Sequence, residues 1–121
     1  KSTTLAYLLY KAGDIKKAIA ILDKTRSKRG GNGMAEHYLS IIYANAGKTD
    51  DAAYYIKASG EILPKWVYLV EKEKAVRNNP TLLKYIREFK SAQERERDLI
   101  FAWFVENELV AEDDLKLISN N

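Results

Sequence analysis

Residues 5–64 read LAYLLYKAGDIKKAIAILDKTRSKRGGNGMAEHYLSIIYANAGKTDDAAYYIKASGEILP, and one pattern is written in them twice. Ala12-Gly13 recurs as Ala46-Gly47, Ala18 as Ala52 and Leu5 as Leu39, and Leu22 is matched by Ile56. Each pair lies 34 positions apart. A fixed period of this size points to stacked helical units. Such units build surfaces for binding rather than pockets for catalysis.

Working outward, the breakers divide the chain into segments that read at helical spacing. No Val/Ile/Thr alternation at period two interrupts them, so the chain reads as all-α. Ser2-Thr3-Thr4 offers cap hydroxyls to a first helix whose stripe is Leu5, Leu8, Leu9 and Ala12. Gly13 ends it, and Asp14 opens a second helix with Ile15, Ala18, Ile19 and Leu22 inward. Gly30-Gly31-Asn32-Gly33 reads as a flexible connection. A third helix from Met34 to about Ala46 carries Leu39, Ile42, Tyr43 and Ala46. Thr49 or Asp50 caps a fourth, running to about Ile62.

Pro64 suits the first turn of a new helix with Trp66, Leu69, Val70 and Val76 as its stripe. Asn79-Pro80 reads as N-cap and first helical residue. Beyond it, residues 81–110 fit either one helix or two, the second starting at the Ser91-Ala-Gln-Glu94 capping box. Asp113-Asp114 opens a last short turn.

The totals bound the answer. The chain has 121 residues, 46% apolar and 31% charged, with a formal net charge of +3. That is one domain's worth of ordinary globular composition, and too little charge to imply nucleic acid. Without cysteine there is no disulfide framework and no thiolate metal site. Cytoplasm or periplasm would suit equally on that ground, and cytoplasm is the expected compartment. No apolar run reaches the roughly 18–20 residues a bilayer span needs. The chain starts at Lys1 without a visible signal peptide, so a fragment of a longer protein is expected.

The two helix pairs resemble tetratricopeptide repeats. The turns at Gly13 and Gly47, the small residues Ala18 and Ala52, and Leu22 and Ile56 carry the likeness, with Leu5/Leu39, Leu9/Tyr43 and the closing Pro64. Ser2 and Glu36 stand where that family expects tryptophan, Ser40 where it expects a smaller residue, and no proline closes the first unit. The resemblance implies a right-handed helical-hairpin solenoid: two repeats over 1–63, and packing or capping helices over 64–121, in one domain. Trp66-Val-Tyr-Leu, Val76-Arg-Asn-Asn-Pro80 and Leu82-Leu83-Lys-Tyr-Ile86 are similar to the tail of certain bacterial repeat modules. Those modules follow winged-helix or cyclase domains in signalling and transcription regulators.

Catalytic chemistry finds little footing. His37 is the single histidine, and no metal-ligand spacing, phosphate loop or nucleophile motif occurs. No catalytic residue, metal or cofactor is expected. Glu106, Glu108, Glu112, Asp113 and Asp114 read as a solvated helix end, as does the basic run Lys24, Arg26, Lys28 and Arg29. Nucleic-acid contact is not expected.

The resemblance places the first helix of each pair on a concave face. It offers Thr3, Tyr7, Tyr10, Lys11, Met34, His37, Tyr38, Ile41 and Asn45 to a partner peptide, helix or small effector. Tyrosines suit such a surface because they bury much area while losing few rotors. They could equally pack against neighbouring helices. Thr3 and Tyr7 replace the lysine and asparagine of the chaperone-tail clamp, so that ligand is not expected. The function expected is a protein-interaction module of a regulatory protein. The alternative is self-association through Phe101, Trp103 and Phe104, which cannot share one stripe of a helix.

Overall fold

The computed structural model describes residues 2–26, 31–107 and 111–119. Among them the fold is all-helical, with 83% helix and no strand. The order is α1 Ser2–Lys11, α2 Ile15–Arg26, α3 Met34–Asn45, α4 Thr49–Ile62, α5 Lys65–Val70, α6 Lys74–Arg77, α7 Pro80–Glu106 and α8 Glu112–Ser119. Lys28, Arg29, Gly30, Glu108 and Val110, which entered the sequence reading, lie outside the described residues.

The doubled pattern yields two turns built alike. Gly13 and Gly47 both take positive φ, 98° and 74°. In the first turn Gly13 N–H donates to Tyr10 and Asp14 N–H to Leu9. In the second Gly47 N–H donates to Ala44 and Lys48 N–H to Tyr43. Each bond thus recurs 34 positions on. The left-handed residue lets the chain reverse while satisfying the carbonyls that a helix end leaves open. Ala18, Leu22, Ala52 and Ile56 are all fully buried.

Packing divides the chain into two compact units, Lys1–Ile86 and Arg87–Asn121. In the first unit α3 is central. It packs on α1, α2, α4, α5 and α6, and eight of its residues are buried, from Ala35 to Ala44. One core gathers Ala6, Ala18, Leu22, Ala35, Leu39, Ile42 and Tyr55. Trp66, Val67, Val70, Val76, Leu82 and Ile86 are also buried. The helices from α5 to the start of α7 therefore contribute core of their own.

Several local expectations are corrected. Leu5 and Leu8 are 54% and 60% exposed, because α1 turns Ala6, Leu9 and Tyr10 inward instead. α4 begins at Thr49 without a side-chain cap. Thr49 Oγ1 instead accepts a hydrogen bond from Asn79 Nδ2 at 3.0 Å. The stretch after Pro64 splits into α5 and α6. The capping box at Ser91 goes unused, and α7 runs through it as one helix. No glycine or proline falls between Pro80 and Glu106, so nothing breaks the i→i−4 ladder, and one serine costs the helix little. Asn79 does cap α7, its Oδ1 accepting from Thr81 N–H (3.1 Å) and Leu82 N–H (3.2 Å).

Gly31-Asn32-Gly33 is a docking point rather than a loose link. Asn32 Oδ1 accepts from Met34 N–H (3.0 Å) and starts α3. Trp66 Nε1 donates to the Asn32 carbonyl at 2.7 Å. Gly33 has φ 86°, and a Cβ there would lie 2.7 Å from Trp66 Nε1. Only glycine supplies both the backbone conformation and the close approach.

Candidate partner-binding face

The contact between α1 and α3 brings most of the expected surface residues together. Thr3 Oγ1 donates to Met34 Sδ at 3.4 Å. The Tyr7 ring stacks on Tyr38, centroids 4.5 Å apart and planes 16° apart. Tyr10 is 6.0 Å from Tyr7. The series continues inward through His37, 5.8 Å from Tyr38, to Trp66, 4.7 Å from His37. Five aromatic rings thus run from α1 across α3 to α5.

A lysine stands at each end of this series. Lys11 Nζ lies 5.3 Å from the Tyr7 ring centre and 5.9 Å from that of Tyr10. Lys65 Nζ lies 4.9 Å from that of Trp66. Both are within cation–π range. Hydrogen bonding to Tyr7 is the main cause that holds Lys11 above the usual lysine range. Burial pushes the Tyr10 hydroxyl up. Tyr7, Tyr10 and Tyr38 are half-buried, so their rings are braced below and reachable above.

Two expected surface residues are corrected by burial. His37 is 7% exposed and Ile41 is 2% exposed. One helical turn apart, they share the side of α3 on which Trp66 lies, and α5 and α6 both pack on α3. His37 is therefore a strut beneath the tyrosines and cannot reach a partner directly. Burial lowers its pKa to about 4, keeping it neutral, and its Nδ1 has no hydrogen-bond partner. Asn45 is exposed, and its side-chain amide donates to the Ile41 carbonyl at 2.8 Å.

In the second unit, Phe101 and Phe104 are half-buried and Trp103 is 54% exposed. Trp103 meets Phe104 edge-on at 5.4 Å. Leu99 and Ile100 beside them are exposed as well.

Sequence reasoning missed a second aromatic group, between α3 and α4. Tyr43 and Tyr55 stack at 5.6 Å with planes 8° apart, and Tyr54 meets Tyr55 edge-on at 5.0 Å. Arg26 covers Tyr55 and Lys48 covers Tyr43. Arg26, exposed in the last turn of α2 as expected, is also paired with Asp23 at 3.2 Å. The Tyr54-Tyr55 doublet was the available signal.

Among the described residues no group of His, Asp or Glu is placed to hold a metal ion, and no helix is long and apolar enough to cross a membrane. No protein family, curated protein or solved structure matches the chain.

Proposed function

We propose that this chain is a tetratricopeptide-like interaction module that binds a partner peptide or helix on the face made by Tyr7, Tyr10, Lys11, Met34 and Tyr38. The observation that carries the reading is the Tyr7–Tyr38 stack, braced from below by His37 and Trp66. Rigid, half-exposed tyrosines offer contact area at small entropic cost, and Lys11 adds orientation. The turns recurring bond for bond at 34 residues support the repeat reading. The role of such a module is recognition inside a larger regulatory protein, with no chemistry of its own.

The test is selection from a random-peptide display library on the intact chain. Selected peptides should lose about tenfold or more in affinity for Tyr7→Ala/Tyr38→Ala. Lys11→Gln, at an exposed position, should weaken them while lowering the melting temperature only slightly, through the lost contacts with the Tyr7 and Tyr10 rings. Peptides that bind the double variant equally well, while it keeps its helical spectrum, would remove this face from the function.

A second reading is self-association through α7. Leu99 is 72% and Trp103 54% exposed, one turn apart on the same side of the helix. Large apolar side chains clustered in water mark contact surfaces.

A further inference from the structure

The second unit contains a cleft of about 490 Å³ between α7 and α8. Asp98, Phe101, Ala102, Val105 and Glu106 line it from α7, and Glu112 and Lys116 from α8. The α7 positions follow i, i+3, i+4, i+7, i+8, so they form one stripe, about 12 Å long over its eight residue steps. Its centre is apolar and its ends are acidic.

The charges have a clear balance. Asp98 is paired with Arg97 at 3.3 Å, and Lys116 with Asp113 at 3.5 Å. Glu106 and Glu112 therefore set the sign of the cleft. The whole second unit agrees: Arg87–Asn121 holds nine Asp/Glu against five Lys/Arg, whereas the rest of the chain holds eight against fifteen.

From these features we infer that the α7–α8 cleft is a docking groove for a basic amphipathic helix of a partner protein. The groove is two helical turns long, which admits two apolar side chains one turn apart over Phe101, Ala102 and Val105. Lysine or arginine one turn beyond them meets Glu106 and Glu112. This is helix-in-groove recognition with charge fixing the polarity of the partner. It is independent of the tyrosine face, which lies on other elements in the other unit.

The test uses the full chain and a dye-labelled synthetic helix of leucine and lysine at helical spacing, with its leucine–glutamate counterpart as control. Fluorescence anisotropy should show saturable, salt-weakened binding of the basic peptide and none of the acidic one. Glu106→Lys should weaken binding about tenfold. Glu112→Gln should weaken it less, and it keeps the first turn of α8 free of an unfavourable cation. Asp50→Lys, on α4, and Ile100→Ser, on the opposite side of α7, should leave it unchanged. Circular dichroism shows that each variant keeps its helices.

Equal binding of both peptides, no saturable binding, or indifference to Glu106→Lys overturns the inference. So does wild-type self-assembly in sedimentation that Glu106→Lys abolishes, because a second copy would then be the occupant.

Discussion

Gly33 and His37 show how much one residue can decide here. At Gly33 both the φ of 86° and the Trp66 indole oppose a side chain. At Gly13 only φ opposes one, because a Cβ would meet nothing within 4 Å. Gly13→Ala should therefore cost about 1 kcal/mol and Gly33→Ala about 2–3 kcal/mol in urea unfolding. Equal losses would mean that Trp66 moves aside freely. His37 makes stability depend on acid. Its folded pKa of about 4 lies below the ordinary 6.5, so the unfolded chain takes up the proton first. The stabilisation is complete above pH 6.5 and is lost as pH falls toward 4. Between pH 7 and pH 5 the loss should be about 2 kcal/mol. His37→Phe keeps a ring against Trp66 and should remove that loss. Glu36 acts in the opposite sense: burial raises its pKa, so acid favours its folded form. An unchanged acid slope in His37→Phe would place the titrating group elsewhere.

At the scale of elements, sequence and structure agree where breakers stand and part where packing decides. Gly13, Gly47 and Asn79-Pro80 act through their own backbone chemistry, so the bounds of α1 to α4 and the start of α7 were legible. The unused box at Ser91 is the converse case, since a capping motif acts only where something ends the preceding helix. Asn79→Ala should therefore cost about 1 kcal/mol in chemical unfolding, and Ser91→Ala next to nothing. A similar loss at both positions would contradict α7 as one helix. The role of Asn32 and Gly33 was not legible, because the indole that needs them comes 34 residues later. The candidate face was half legible. The resemblance to the repeat family put Tyr7, Tyr10 and Lys11 together on α1, but neither it nor periodicity tells that Trp66 of α5 packs on His37.

For the whole molecule, the buried core lies between Ala6 and Ile86 among the described residues. The largest exposed apolar side chains of the second unit lie on α7 and α8. Sedimentation velocity over a wide concentration range should show reversible assembly if the Leu99–Trp103 side of α7 pairs with another copy. Trp103→Ser should then return the chain to monomer, and a wild-type monomer at every concentration would end that reading. The hydrogen bond from Trp66 to Asn32 has a bearing on kinetics too. It spans 34 residues, while the bonds of the turns at Gly13 and Gly47 span three or five. Local turns form early and long loops close late, since closure must first overcome chain entropy. The indole latch, like the Asn79–Thr49 and Thr3–Met34 bonds across 30 and 31 residues, should therefore close after the turns, and Trp66 should leave water later than the helices form.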